Sequence, residues 1–168
     1  MKLFFTMLML IPLSIFSQQK SPYIVNKCAN NGSFQASEGL ICSDELRSKW
    51  FCLVPSYVSE NGKPVINSFS VIKNGIGSCS KNDLLVINFT DHSRVIIRSI
   101  NFNLECEMWI KFSLNTYAIK ALESKTVRTI QYVNGNEMKS FSYTLNAKEN
   151  DFFINALTNY VIIDAYCR

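Results

Sequence analysis

LLVINFTDHSRVIIRSINF, running from Leu84 to Phe102, sets two β-forming runs on either side of a polar tip. Leu84–Phe89 and Val95–Phe102 are rich in Val, Ile and Phe, and Thr90-Asp91-His92-Ser93 supplies turn-forming side chains between them. The stretch therefore reads as an antiparallel hairpin. Upstream, Val65–Ile72 is a further strand candidate, followed by the glycine-rich turn Asn74-Gly75-Ile76-Gly77-Ser78. Downstream, Met108, Ile110, Phe112 and Leu114 alternate with Trp109, Lys111 and Ser113. That is the pattern of an antiparallel strand with one buried and one wet face. Tyr117–Ser124 predicts a short helix, with Ala118, Ala121 and Leu122 at helical spacing. A second hairpin is expected from Val127–Val133 and Met138–Leu145 around Asn134-Gly135.

The last helix opens on Asn146 and Glu149, a capping-box pair. It then carries Phe153, Ala156, Leu157, Tyr160 and Val161 along one stripe. The β-branched run Val161-Ile162-Ile163 is expected to fray it or to leave as an extended tail. The fold class is α+β: an antiparallel β-sheet of five to six strands with a C-terminal helix packed on one face, stabilised by disulfides.

Residues 1–17 have the layout of a secretory signal peptide, with Lys2, an apolar run and small Ser17 before Gln18. The run spans roughly 14 residues where a bilayer crossing takes about 20, so no stable membrane insertion is expected after leader removal. Residues 18–40, rich in Asn, Ser and Gly, read as an extended N-terminal arm, and 41–168 as a single α+β domain. In that domain Ser43-Asp44-Glu45-Leu46 opens a short helical candidate, which carries Trp50, Phe51 and Leu53 and stops before Pro55.

Cys28, Cys42, Cys52, Cys79, Cys106 and Cys167 all follow the leader. An even count behind a signal peptide reads as a disulfide framework in a secreted or periplasmic protein. Cys79 and Cys106 bracket the Leu84–Phe102 hairpin, whose pairing brings its ends together, so they are the best single pair. The other four are expected to join the N-terminal segment internally and to Cys167. No metal is expected, because structural zinc needs close ligand pairs and even Cys42 and Cys52 are too widely spaced.

Without Lys2 the chain holds 16 basic and 13 acidic residues, and no three basic residues adjoin. A nucleic-acid partner would call for a concentrated basic stripe. His92, the single histidine, sits between Asp91 and Ser93. All three are common turn residues, and adjacent side chains at a tip point in different directions. Glu105 and Glu107 would share a strand face; they read as like charges that discourage edge pairing rather than as an acid/base pair. Gly75-x-Gly77-Ser78 lacks the lysine and the strand-to-helix setting of a phosphate loop, and no Gly-x-Ser-x-Gly elbow is present. No catalytic residue and no cofactor are assigned. Two glycosylation sequons occur, at Asn31 in a loop and at Asn88 in a strand candidate. The remaining candidate is a binding surface of Trp109, Lys111, Arg94 and Arg98 on a wet sheet face, unless the N-terminal arm covers Trp109.

The leader ending Ile-Phe-Ser before Gln-Gln resembles those of exported proteins of the Bacteroidetes. Leu84 to Tyr160 is similar to small secreted proteins of that group through LLVINFTDHSRVIIRSINFNLEC, KFSL, ALESKTVRTIQYVNG and FSYTLNAKENDFFINAL. The resemblance covers about half the chain, and the group's usual Asp-Gly hairpin tip appears here as Asp91-His92. It implies location and order of elements and brings no activity. The expected function is that of an exported, non-catalytic binding or interaction module for a protein or glycan ligand. A small secreted hydrolase and an inhibitor of a foreign enzyme are the alternatives.

Overall fold

Alternation of apolar and polar side chains makes most of the chain extended, because each strand can then bury one face. The computed structural model describes residues 23–29, 33–36, 39, 41–43, 49–100, 109–165 and 167. The leader, Asn31, Asp44 to Leu46, and the Glu105-Cys106-Glu107 triplet lie outside them. In chain order the elements are β1 (Tyr23–Cys28), β2 (Phe34–Ala36), β3 (Ile41–Cys42), β4 (Trp50–Glu60), β5 (Lys63–Asn74), β6 (Leu84–Phe89), β7 (Arg94–Arg98), β8 (Trp109–Ser113), α1 (Thr116–Ser124), β9 (Val127–Asn134), β10 (Lys139–Thr144), α2 (Ala147–Thr158) and β11 (Tyr160–Ala165).

Mostly antiparallel pairing is observed, but the single sheet of five to six strands is corrected to two sheets. One has seven strands, ordered β11-β1-β2-β4-β5-β8 with β3 also on β4; the other is β10-β9-β6-β7. The split arises because β9 takes the second edge of β6, with Leu85 opposite Tyr132 and Ile87 opposite Ile130, while β8 goes to β5. The sheets touch where Ser99 bridges Phe112 and the Ile100 N–H donates to the Lys111 carbonyl at 3.0 Å.

The terminal helix is not the chain's last element. α2 stops at Thr158, and Tyr160 to Ala165 form β11, parallel to β1 with Tyr160 opposite Tyr23 and Ala165 opposite Cys28. Tyr160 and Val161, expected as the end of the helical stripe, therefore belong to a strand. The helix expected to carry Trp50, Phe51 and Leu53 is also corrected, since these residues open β4. Ser43 Oγ accepts from the Phe51 N–H at 2.9 Å, tying the end of β3 to β4 instead of capping a helix. β4 passes through Pro55 because that residue falls in the interval between β3, which pairs up to Leu53, and β2, which pairs at Ser56. No ladder bond is lost there to the missing N–H.

Asn-Gly acts twice and differently. Asn61-Gly62 joins β4 to β5 as a two-residue turn with φ of 52° and 73°, the mirror-image geometry that suits twisted strands. Asn134-Gly135, expected to be such a turn, instead begins a four-residue loop, 135–138, with the positive φ on Met138. Gly135 is needed for closeness rather than dihedral freedom, since a Cβ there would lie 2.5 Å from the Asn82 carbonyl carbon.

One apolar core draws on both sheets and both helices. Ring pairs Tyr23–Phe152 (5.1 Å between centroids) and Phe69–Phe153 (5.8 Å) seat α2 on the larger sheet, and Phe51–Tyr132 (6.4 Å) links β4 to β9. Asn146 and Glu149 make the capping box at the head of α2. At its other end the buried Tyr57 hydroxyl donates to the Ala156 carbonyl at 2.9 Å, satisfying a C-terminal group that has no partner within the helix.

Cys28–Cys167 staples β1 to the chain's end, and Cys42–Cys52 links directly opposed residues of β3 and β4. Cys79 is disulfide-bonded too, while Cys106, its expected partner, lies outside the described residues. Oxidised cysteines indicate an oxidising, extracytoplasmic setting. Among the described residues, no helix is long and apolar enough to cross a membrane.

Candidate functional site

Strand β7 alternates exposed Arg94, Ile96 and Arg98 with buried Val95 and Ile97. The pairing of Ser99 with Phe112 puts the outward residues of β7 on the same side as Lys111 and Ser113 of β8. Beyond that bridge β8 ends and the chain turns into α1. A cavity of about 200 Å³ opens there. Its walls are Arg94, Ile96 and Arg98 on one side and Ser113, Asn115 and Tyr117 on the other; Val95, Ile97 and Ala118 complete the lining. Ile96 is 51% exposed and Tyr117 66% exposed, so an apolar side chain and an aromatic ring stand open beside the two guanidinium groups.

The cavity is electropositive for three reasons. Its lining includes two arginines and no carboxylate. Among the described residues neither Arg94 nor Arg98 forms an ion pair. The first turn of α1 is free of acidic residues, so the partial positive charge of its amino end is not offset. Asn115 Oδ1 caps that end by accepting from the Ala118 N–H at 2.8 Å. Asp91, nearby in sequence, is engaged elsewhere: its carboxylate accepts from Lys125 Nζ at 2.8 Å and from Ser93. The Lys125 and Ser93 hydrogen bonds hold the Asp91 carboxyl well below its usual range.

Of the four residues predicted to form a binding face, Arg94 and Arg98 come together at the cavity. Lys111 lies on the same outward side, further along β8 and off the cavity wall. Trp109 begins β8, and its side chain is outside the described set. Ser113, Asn115 and Tyr117 escaped the sequence reading. Tyr117 carried a usable signal, as a large aromatic residue lying off the Ala118-Ala121-Leu122 stripe of its own helix.

Two other clusters involve titratable groups. At the β6–β7 tip, His92 is exposed with φ of 67°, and the Ser93 hydroxyl contacts Asp91 and Lys125. Under the smaller sheet, fully buried Asp83 accepts from Tyr132 Oη (2.8 Å), the Gly135 N–H (2.7 Å) and the Ser80 N–H (2.9 Å). Buried Lys73 donates to the Ile76 carbonyl at 2.8 Å and to that of Gly77. Burial lowers the Lys73 ammonium below its ordinary value and raises the Tyr132 phenol, the latter helped by Asp83. These groups bind each other and the backbone of loops 75–83 and 135–138, so their role is to fix those loops. Asn88 of the second sequon lies in β6, its amide donating to Thr129 Oγ1 at 2.9 Å. No group of three or more metal-binding side chains occurs among the described residues.

In comparisons with known proteins, no family model, no curated protein and no solved structure matches the chain.

Proposed function

We propose that this chain is an exported, non-catalytic binding module that holds an anionic group in the cavity between β7 and the head of α1. The carrying observation is the pair Arg94 and Arg98, flanking a concave site lined without a carboxylate. Guanidinium groups suit carboxylate, phosphate and sulfate through paired, parallel hydrogen bonds. Ser113, Asn115 and Tyr117 add neutral donors and an aromatic wall, and Ile96 adds apolar contact, a mix that favours recognition. Disulfides and the leader-like N-terminus support export, and the partner is a protein or a glycan bearing acidic groups.

The test is retention of the mature, oxidised protein on an array of acidic peptides, sulfated glycans and their neutral counterparts. Wild type should favour the anionic members, lose them in high salt, and lose them when Arg94→Gln and Arg98→Gln are combined. Equal retention of wild type and the double variant would overturn the reading.

A further inference from the structure

Strand β7 presents more than two charges. In its pairing with β6, the Phe89 N–H donates to the Ser93 carbonyl at 2.9 Å and the Ser99 N–H to the Asp83 carbonyl at 3.0 Å. Antiparallel ladders alternate, so Ser93, Val95, Ile97 and Ser99 exchange bonds with β6. Arg94, Ile96 and Arg98, set opposite Asn88, Val86 and Leu84, turn their N–H and C=O groups the other way. On that side β8 runs through the Ser99–Phe112 bridge to Ser113, so the Ile100 N–H bonds the Lys111 carbonyl and the Arg98 carbonyl faces the Ser113 N–H. Among the described residues nothing hydrogen-bonds the outward backbone groups of Arg94 and Ile96. The cavity lies along this same open stretch of edge. Native sheets usually cover or twist away such an edge, whereas peptide-binding domains leave it open for an added strand.

We infer that the occupant is an extended acidic segment of a protein partner, added antiparallel to β7; this rests on the anionic-cavity reading and specifies its ligand. The register dictates the ligand's pattern. Ligand residues opposite Arg94 and Ile96 share the outward face with the residue two places beyond. That residue meets the Arg98 guanidinium where the ligand lifts off the edge at Ser113, so an acid, an apolar residue and an acid recur at every second position. The two arginine Cα atoms are about 13 Å apart along the strand, which matches acids four residues apart in an extended chain. The two intervening side chains point inward onto Val95, Ile97 and Ala118, and the cavity limits them to small or β-branched types. A sulfated glycan would meet the charges and leave the edge N–H and C=O groups unused.

The probe is acetyl-Ser-Glu-Thr-Val-Thr-Glu-Ser-amide, titrated calorimetrically into the mature, oxidised protein. Hydrogen exchange is followed at the amides of Arg94 and Ile96. The strand reading requires saturable binding, slowed exchange at those two amides, and loss of binding in Arg94→Gln/Arg98→Gln. Methylating the valine nitrogen removes one edge hydrogen bond without altering charge and should weaken binding roughly tenfold. Methylating a threonine nitrogen, which points away from β7, should change it little.

Peptide binding that needs the arginines but ignores valine N-methylation and leaves the amides unprotected would overturn strand addition while keeping the anionic cavity. Arginine-dependent binding of dextran sulfate with no binding of the peptide would do the same. Binding of neither the peptide nor dextran sulfate would overturn both.

Discussion

Removing the Cys28–Cys167 bridge should cost far more stability than removing Cys42–Cys52, and loop length gives the size of the difference. The first bridge closes 139 residues and the second ten. Loop-closure entropy then assigns about 5 kcal/mol to the long bridge and about 2.7 kcal/mol to the short one, a difference of about 2.3 kcal/mol. Local structure widens the gap. Cys42 and Cys52 sit directly opposite in already paired strands, whereas Cys28–Cys167 secures the end of β11, an edge strand parallel to β1.

The assay is urea unfolding of Cys28→Ala/Cys167→Ala and of Cys42→Ala/Cys52→Ala, each oxidised, against wild type. With a slope of about 2 kcal/mol per molar, midpoints should fall by about 2.5 M for the long bridge and 1.3 M for the short one. Against a total stability of about 5–15 kcal/mol, the first loss threatens folding itself. Equal losses, or a larger loss from the ten-residue loop, would refute the entropic reasoning.

Tyr57→Phe should destabilise by about 1–2 kcal/mol, because it leaves the Ala156 carbonyl unpaired in a buried site; chemical denaturation reads this directly. Asn146→Ala should cost about 1 kcal/mol by breaking the capping box, and Asn146→Ser should restore most of it in the same measurement. Stability should also fall at alkaline pH. Burial raises the Tyr57 and Tyr132 phenols above their ordinary value of 10.0, and a hydrogen bond to Glu149 pushes Tyr143 up to about 12. The folded chain keeps these protons after the unfolded chain has lost them, so their contribution is full below about pH 10 and is lost above it. For Tyr143 that window closes near pH 12. Urea midpoints that stay flat from pH 9 to 12 would contradict this, and Tyr143→Phe should shallow the decline.

Much of the fold was legible because its signals are local. The capping box of α2 needs only Asn146 and Glu149 three residues apart, and the β6–β7 hairpin needs two apolar runs around a polar tip. The buried face of β8, Ile110 and Phe112, is an alternation visible over five residues. The candidate site was half legible: Arg94 and Arg98 are two of five residues on one strand, and period two places them on one face.

The rest depended on which distant segments meet. Val161-Ile162-Ile163 cannot say by itself that it is a strand; it becomes one because β1, more than a hundred residues earlier, offers a parallel edge. Pro55 stops a helix in any local reading, and only the interval between β3 and β2 shows why a strand passes through it. The cavity exists because β8 ends just past the Ser99–Phe112 bridge and α1 begins, leaving the backbone of Arg94 and Ile96 open. Side-chain chemistry and short-range periodicity are written residue by residue. Hydrogen-bonding edges and concave spaces come from pairing between remote segments, and so only the assembled chain determined where a ligand would lie.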